Sequence, residues 1–335
     1  MGAPPLKPEL IPLLTCPSCG HDLSAAATGA SPDMDALRCE RGHAFPVRNG
    51  VPRFVDSDRY ASNFAFEWTV HDTTQLDTDE RRESESAFRE KTGLAPDDLR
   101  GALVLDVGCG MGRFTDVVSR WGATVVGVDL TAAVDSAAAN LAARPNVHLL
   151  QADVFSLPMR EGSFDFVFSI GVLHHTPSTR AAFDRLPRLL KPGGRIAIWV
   201  YSTRLRRWSW TSDAYRVITS RVPKEQLYRA CRIANPMYEL RTRLGRRSAL
   251  LAMLAGGALP TSMHDHPEWR VLDTFDWYSP RYQHKHSPAE VRGWFEAHDL
   301  EEISVLDCET AVVGRRGAPV PANAGQREEV AGQPG

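Results

Sequence analysis

The chain has 335 residues, enough for one substantial core and an appended unit. Thirty-nine Lys and Arg against 41 Asp and Glu leave a formal net charge of -2, which excludes a whole-chain polycation built to coat nucleic acid. No apolar run reaches the length of a membrane span, and the opening Met-Gly-Ala-Pro-Pro-Leu-Lys-Pro lacks the apolar centre of a signal peptide, so the cytoplasm is the expected location.

The six cysteines do not read as a disulfide frame. Cys16-Pro-Ser-Cys19 and Cys39-Glu-Arg-Gly-His43 are a Cys-x2-Cys and a Cys-x3-His pair, together a Cys3His set with the chemistry of structural zinc. His21 competes with His43 for the fourth position, and four unligated side chains are the bland alternative. Residues 1–57 hold few large apolar side chains, so a ribbon there needs metal bonds in place of a core.

Residues 58–100 form a connecting segment. Tyr60-Ala-Ser-Asn-Phe-Ala-Phe-Glu-Trp68 mixes aromatics with one acid, and 79–91 is a charged helical stretch. Phe64 and Trp68 are four apart and share a helix face, either to close a pocket or to pack the ribbon on the core.

Leu103-Val-Leu-Asp-Val-Gly-Cys-Gly-Met-Gly-Arg-Phe114 is an apolar strand that breaks into three alternating glycines after Asp106. Gly108, Gly110 and Gly112 permit a tight turn and close ligand approach, and Arg113 to Arg120 reads as a helix whose free N–H groups face the loop. Thr124–Asp129 is a second strand, ending in an acid placed to bond ribose hydroxyls. Val147–Asp153, Phe164–Ile170 and Gly194–Tyr201 follow as strands, lining one edge with polar ends.

Beyond them, residues 203–250 carry twelve Lys/Arg against three Asp/Glu, with Trp208, Trp210, Tyr215, Tyr228 and Tyr238 interspersed. Such a cap suits an anionic metabolite, nucleic acid or a membrane surface, while a solvated helix pair resting on acidic surface is the alternative. Leu250 to Leu259 is apolar but too short to span a bilayer. Ser287-Pro-Ala-Glu290 is a capping box opening a helix through His298, Glu301–Thr310 and Ala311–Arg316 read as antiparallel strands, and the Pro/Gly/Ala tail reads as disordered.

The ordered motifs between Leu103 and Tyr201 resemble the class I S-adenosylmethionine-dependent methyltransferases, above all the small-molecule branch with the ubiquinone-pathway enzymes. Asp106-Val-Gly-Cys-Gly-Met-Gly112 fits the first motif, Asp129 the ribose acid, Gln151-Ala-Asp153 the adenine-edge contact, Phe164–His175 the fourth motif and Leu189–Gly194 the turn before strand five. A nicotinamide-dependent dehydrogenase is the structural rival, but the Gly-x-Gly-x-Gly spacing after Asp106 and the Leu-His-His segment argue against it. The front end resembles zinc ribbons of 23S rRNA guanine-N1 methyltransferases and of a small methyltransferase-activating protein. Leu272–His286 resembles the Asp-x-x-Ala/Ser-Pro-x-Tyr stretch of zinc-ribbon methyltransferases from biosynthetic clusters.

The resemblance implies an α/β, Rossmann-like seven-stranded sheet of order 3-2-1-4-5-7-6. Its units are a ribbon at 1–57, a closing segment at 58–100, core at 101–201, cap at 202–270, core completion at 271–316 and a tail at 317–335. It implies S-adenosylmethionine held by Asp106, Gly108, Gly110, Gly112, Asp129, Leu130, Asp153, Val154 and Ser169 with Trp68, and zinc held by Cys16, Cys19, Cys39 and His43. For an acceptor that must lose a proton, His174 and His175 are candidate bases beside packing roles, with Tyr278, Glu67, His284 and His286 further candidates. His264-Asp-His266 with His284 and His286 can also be read as a second metal set. The expected function is methyl transfer to a small-molecule or carrier-borne biosynthetic intermediate, with an RNA base methyltransferase and a non-catalytic partner of another methyltransferase as alternatives. Acceptor atom and oligomeric state stay open.

Overall fold

The computed structural model describes residues 6–26, 36–55, 61–203, 206–308 and 310–318; Tyr60, the linker at 27–35 and the tail from 319 lie outside them. Four short strands open the chain, β1 (Leu23–Ala26), β2 (Ala36–Cys39), β3 (Ala44–Arg48) and β4 (Val51–Pro52), paired antiparallel in that order. The helices α1 (Ser62–Val70), α2 (Glu83–Thr92) and α3 (Pro96–Leu99) lead into the central unit.

That unit alternates strand and helix: β5 (Leu103–Val107), α4 (Arg113–Arg120), β6 (Thr124–Asp129), α5 (Ala133–Asn140), β7 (Val147–Gln151), β8 (Phe164–Ile170), α6 (Thr179–Phe183) and β9 (Leu190–Val200). The cap follows as α7 (Arg206–Thr219), α8 (Lys224–Cys231), α9 (Ala234–Gly245), α10 (Ala249–Ala258) and α11 (Pro267–Tyr278). The chain then returns through α12 (Pro288–Glu296), β10 (Leu300–Val305) and β11 (Thr310–Arg316). The large sheet runs β7-β6-β5-β8-β9-β11-β10; counted within this sheet alone, that is 3-2-1-4-5-7-6. Strands β5 to β9 pair in parallel and the last two join antiparallel.

The parallel strands are nearly continuous apolar runs because helices cover both faces. On one face Phe88 of α2 is fully buried edge-on to Trp121 and Phe168, at 5.3 and 5.1 Å between ring centroids. On the other, Leu10, Leu14 and Leu37 of the front end share one core with Leu105, Val126 and Leu150. The front end also covers the β7 edge: Phe54 N–H donates to Gln151 O at 2.8 Å, and Arg53 reaches Gln151 Oε1 at 3.2 Å and Asp135 at 2.5 Å. An open strand edge is thereby paired within the chain.

Two expected boundaries move. Strand β9 starts at Leu190, absorbing most of the Leu189–Gly194 turn, and the division expected at 270/271 falls inside α11. This helix is continuous because Val271, Phe275 and Tyr278 share one core with Leu227 and Cys231 of α8 while Pro267 fits its first turn. Ser287 caps α12 as the sequence suggested, accepting Glu290 N–H at 3.1 Å. Among the described residues no helix is long and apolar enough to cross a membrane.

Candidate functional site

In this sheet β5 has β6 on one side and β8 on the other, so chain order reverses direction at its C-terminal end and leaves a crevice. The glycine loop is suspended there from the neighbouring strand: Gly108 and Cys109 N–H groups both donate to Val128 O, at 2.7 and 3.0 Å. Gly108 has φ +86°, and a Cβ on it would lie 2.4 Å from both Val172 methyls. Gly110 has φ +53°, and its missing Cβ leaves room for the Trp68 indole, whose Nε1 would sit 3.1 Å away. Asp129 secures the loop, accepting Gly110 N–H at 2.9 Å on one oxygen and both Thr131 groups at 2.8 Å on the other. Burial pushes its carboxyl above the ordinary range.

The crevice is a cavity of about 340 Å³. Of the residues expected to hold a cofactor, Gly108, Gly110, Asp129, Leu130, Val154 and Trp68 line it. The other four stand behind it, with their side chains engaged elsewhere or absent. Asp106 accepts the Thr115 hydroxyl at 2.6 Å, and burial raises it to about 7. Ser169 donates to Val107 O at 2.8 Å, Asp153 accepts Phe155 N–H at 3.1 Å to cap a short turn, and Gly112 caps α4 against Leu141.

The two histidines differ. His175 lines the cavity beside Phe64, and its Nδ1 donates to Tyr282 O at 2.9 Å, which leaves Nε2 as the basic nitrogen. Burial lowers its pKa to about 4, so the ring is neutral at ordinary pH. His174 does not line the cavity. Its ring stacks on Tyr201 at 4.0 Å, neither nitrogen has a partner among the described residues, and burial holds it well below the imidazole range. Tyr278 points away too, donating to Pro260 O at 2.6 Å. The alternative second metal set does not form a cluster among the described residues: His264 contacts Glu83, His286 contacts Glu290, and His284 Nε2 is buried with no partner among those residues.

Sequence reading missed the far wall. Gln75, Arg113, Trp269, Asp273 and Asp276 all line the cavity. Asp273 and Asp276 are three apart, hence on one helix face, and Trp269 lies one turn earlier; that periodicity was the available signal. Burial raises Asp273 to about 6. Apart from Lys91 and Arg113, the charged lining is acidic, so the cap's positive residues do not make the cavity basic. Arg216, Arg221, Lys224 and Arg281 instead line a separate open groove of about 700 Å³.

In the front end, one ligand atom from each of Cys16, Cys19, Cys39 and His43 lies within 4.8 Å of the others, a cluster that is alone of its kind among the described residues. Cys19 and Cys39 sulfurs are 3.7 Å apart, and His43 Nδ1 is 3.6 Å from Cys16 and 3.3 Å from Cys39. Zinc–sulfur bonds of about 2.3 Å put tetrahedral ligands about 3.8 Å apart, so the set fits zinc. His21 is turned elsewhere, its Nδ1 against Cys19 O at 3.0 Å.

A methyltransferase-domain family model matches residues 105–198. A ubiquinone biosynthesis O-methyltransferase of Paracidovorax citrulli is 38% identical over 119 residues, 34% of this chain and 48% of that protein. An uncharacterized methyltransferase of Mycobacterium bovis is 37% identical over 108 residues, 32% of this chain and 55% of that protein. Among solved structures, the YcgJ protein of Bacillus subtilis is 28% identical, with 35% of this chain and 54% of that one covered and a TM-score of 0.33. The chain spans about half the length of the curated relatives it matches. Its central unit, residues 105–198, is thus similar to methyltransferase domains.

Proposed function

We propose that the chain transfers a methyl group from S-adenosylmethionine to a small-molecule or carrier-borne biosynthetic intermediate, with a zinc ribbon as a structural front end. The carrying observation is the cavity at the glycine loop, where Gly108 and Gly110 leave space that side chains would fill and Asp129 faces inward from the end of β6. Asp129 would take the ribose hydroxyls, Leu130 and Val154 would flank the base, and Trp68 would cover the loop. The cofactor, when bound, supplies a sulfonium methyl that is electrophilic already. The chain's own task is therefore enclosure and alignment. His175 Nε2 is the nitrogen available to accept a proton from an acceptor that carries one, whereas His174 acts as packing.

The name of the Paracidovorax relative supports a small-molecule acceptor. The proposed units are ribbon 1–57, closing segment 58–100, core 101–201, a cap from 202 to the end of α11, and core completion from there to 316. Calorimetric titration with S-adenosylmethionine tests the reading, with micromolar binding expected for the wild type and strong weakening in Asp129→Ala. No heat in the wild type would sink it. The cationic groove on the cap favours a second reading, an RNA substrate. Filter binding to tRNA and rRNA across a salt series decides between them, since phosphate contacts give a steep salt slope.

A further inference from the structure

Three carboxyl groups from two helices gather at the cavity: Asp273 and Asp276 on α11, and Glu67 on α1, which is buried beside Asp276. Asp273 and Asp276 line the cavity directly. Glu67 is 0% exposed, and neither of its oxygens nor Asp276 Oδ1 meets a hydrogen-bond donor among the described residues. Glu67 and Asp276 are close neighbours; burial raises both above the ordinary carboxyl range, with Asp276 adding to the rise of Glu67 and Asp273 to that of Asp276.

No cation is among the charges acting on that pair. Asp273 accepts the Ser262 hydroxyl at 3.0 Å and is faced by His264 and by Arg113, whose guanidinium is held by Ser84 Oγ at 3.0 Å and Gln75 Oε1 at 3.3 Å and lies over Trp269, so the acids left without donors are Glu67 and one oxygen of Asp276. Buried acids without donors are costly unless a ligand supplies them. Phe64, Trp68 and Trp269 line the same cavity. Carboxylates framed by aromatic faces are the chemistry that recognises a cationic nitrogen.

We propose that Asp273, Asp276 and the supporting Glu67 form an ammonium-binding subsite, the acids accepting N–H bonds from a primary amine while the aromatic faces screen it from water. The proposal rests on the cofactor reading above. Two sources offer this group: the amino-acid end of the cofactor, or an amine on the acceptor.

Calorimetry on the full chain separates them with three probes. S-adenosylhomocysteine keeps the ammonium, 5′-methylthioadenosine lacks the whole amino-acid end, and benzylamine is titrated into protein loaded with S-adenosylhomocysteine. The variants D273N, D276N and E67Q keep shape and remove charge. Relieving buried charge leaves their folding intact, checked by circular dichroism. If the cofactor is the source, S-adenosylhomocysteine loses at least tenfold in affinity in D273N and D276N while 5′-methylthioadenosine is unchanged. If the acceptor is the source, both nucleosides keep their affinity and benzylamine binding to the loaded wild type disappears in the variants. The proposal is overturned if all three titrations are unchanged by the variants, or if both nucleosides weaken equally. A wild type that binds neither nucleoside removes the cofactor reading instead.

Discussion

Replacing Gly108 by alanine tests the glycine loop with a magnitude that can be divided into two parts. The first is backbone: at φ +86° a Cβ-bearing residue costs about 1–2 kcal/mol. The second is overlap, since the new Cβ would stand 2.4 Å from both Val172 methyls and 2.8 Å from Val172 Cβ, an intrusion in the class that costs about 1–3 kcal/mol. Gly101 isolates the first part, because at φ +73° its added Cβ meets nothing within 4 Å. Urea unfolding followed by circular dichroism should therefore rank wild type, Gly101→Ala and Gly108→Ala, with the last worse than the second by about 1–3 kcal/mol. Val172→Ala removes the two methyls but leaves the Cβ, so it should recover only part of that difference. Affinity for S-adenosylhomocysteine should fall with Gly108→Ala and stay level with Gly101→Ala. Equal losses of stability in the two glycine variants would refute the steric account.

The zinc reading predicts about one zinc per purified chain by elemental analysis, and that Cys39→Ala or chelation opens residues 6–55 to protease; a metal-free chain resistant to cleavage would contradict it. Asp129→Ala removes the acceptor for Gly110 and Thr131 N–H groups, and should weaken S-adenosylhomocysteine binding by about 10- to 100-fold at charged-bond strengths of 1.5–3 kcal/mol, whereas retained affinity would mean that the loop holds itself. His175, lowered by burial to about 4 against an ordinary 6.5, binds fewer protons folded than unfolded between those values. Its contribution is complete above pH 6.5 and is lost as pH falls toward 4, by up to about 3 kcal/mol, so urea midpoints should climb across this window and His175→Gln should flatten the climb; an unchanged slope counts against the burial argument.

What could be read from sequence follows from what the backbone determines. Asp106 to Gly112 was legible because a buried strand, a glycine turn and a helix start are each local, and Cys16, Cys19, Cys39 and His43 because ligand spacing is local too. Side-chain direction was less so. Asp106 and Ser169 are motif residues expected to hold a cofactor, yet Asp106 accepts from Thr115 of α4 and Ser169 donates to Val107 O of the neighbouring strand. The competition between His21 and His43 turned on a tight turn that aims His21 at a carbonyl.

The acceptor side shows the harder limit. Tyr278 and Asp276 are two positions apart on α11, which at about 100° per residue sets them on opposite sides of the helix. The phenol therefore meets Pro260 O while the carboxyl meets the cavity. The sequence pointed to Tyr278 and not to Asp276, since neither residue shows by itself which side of the helix faces the core. Glu67 lies about 200 residues before Asp276, and only the docking of α1 beside α11 brings the two carboxyls together. A local net positive charge across 203–250 pointed to an anionic acceptor, but charge counted along a chain takes no account of which face each residue occupies. The cavity instead presents Asp273 and Asp276 of α11, with Glu67 of α1 buried beside them, so its charge is set by contacts between helices distant in the chain.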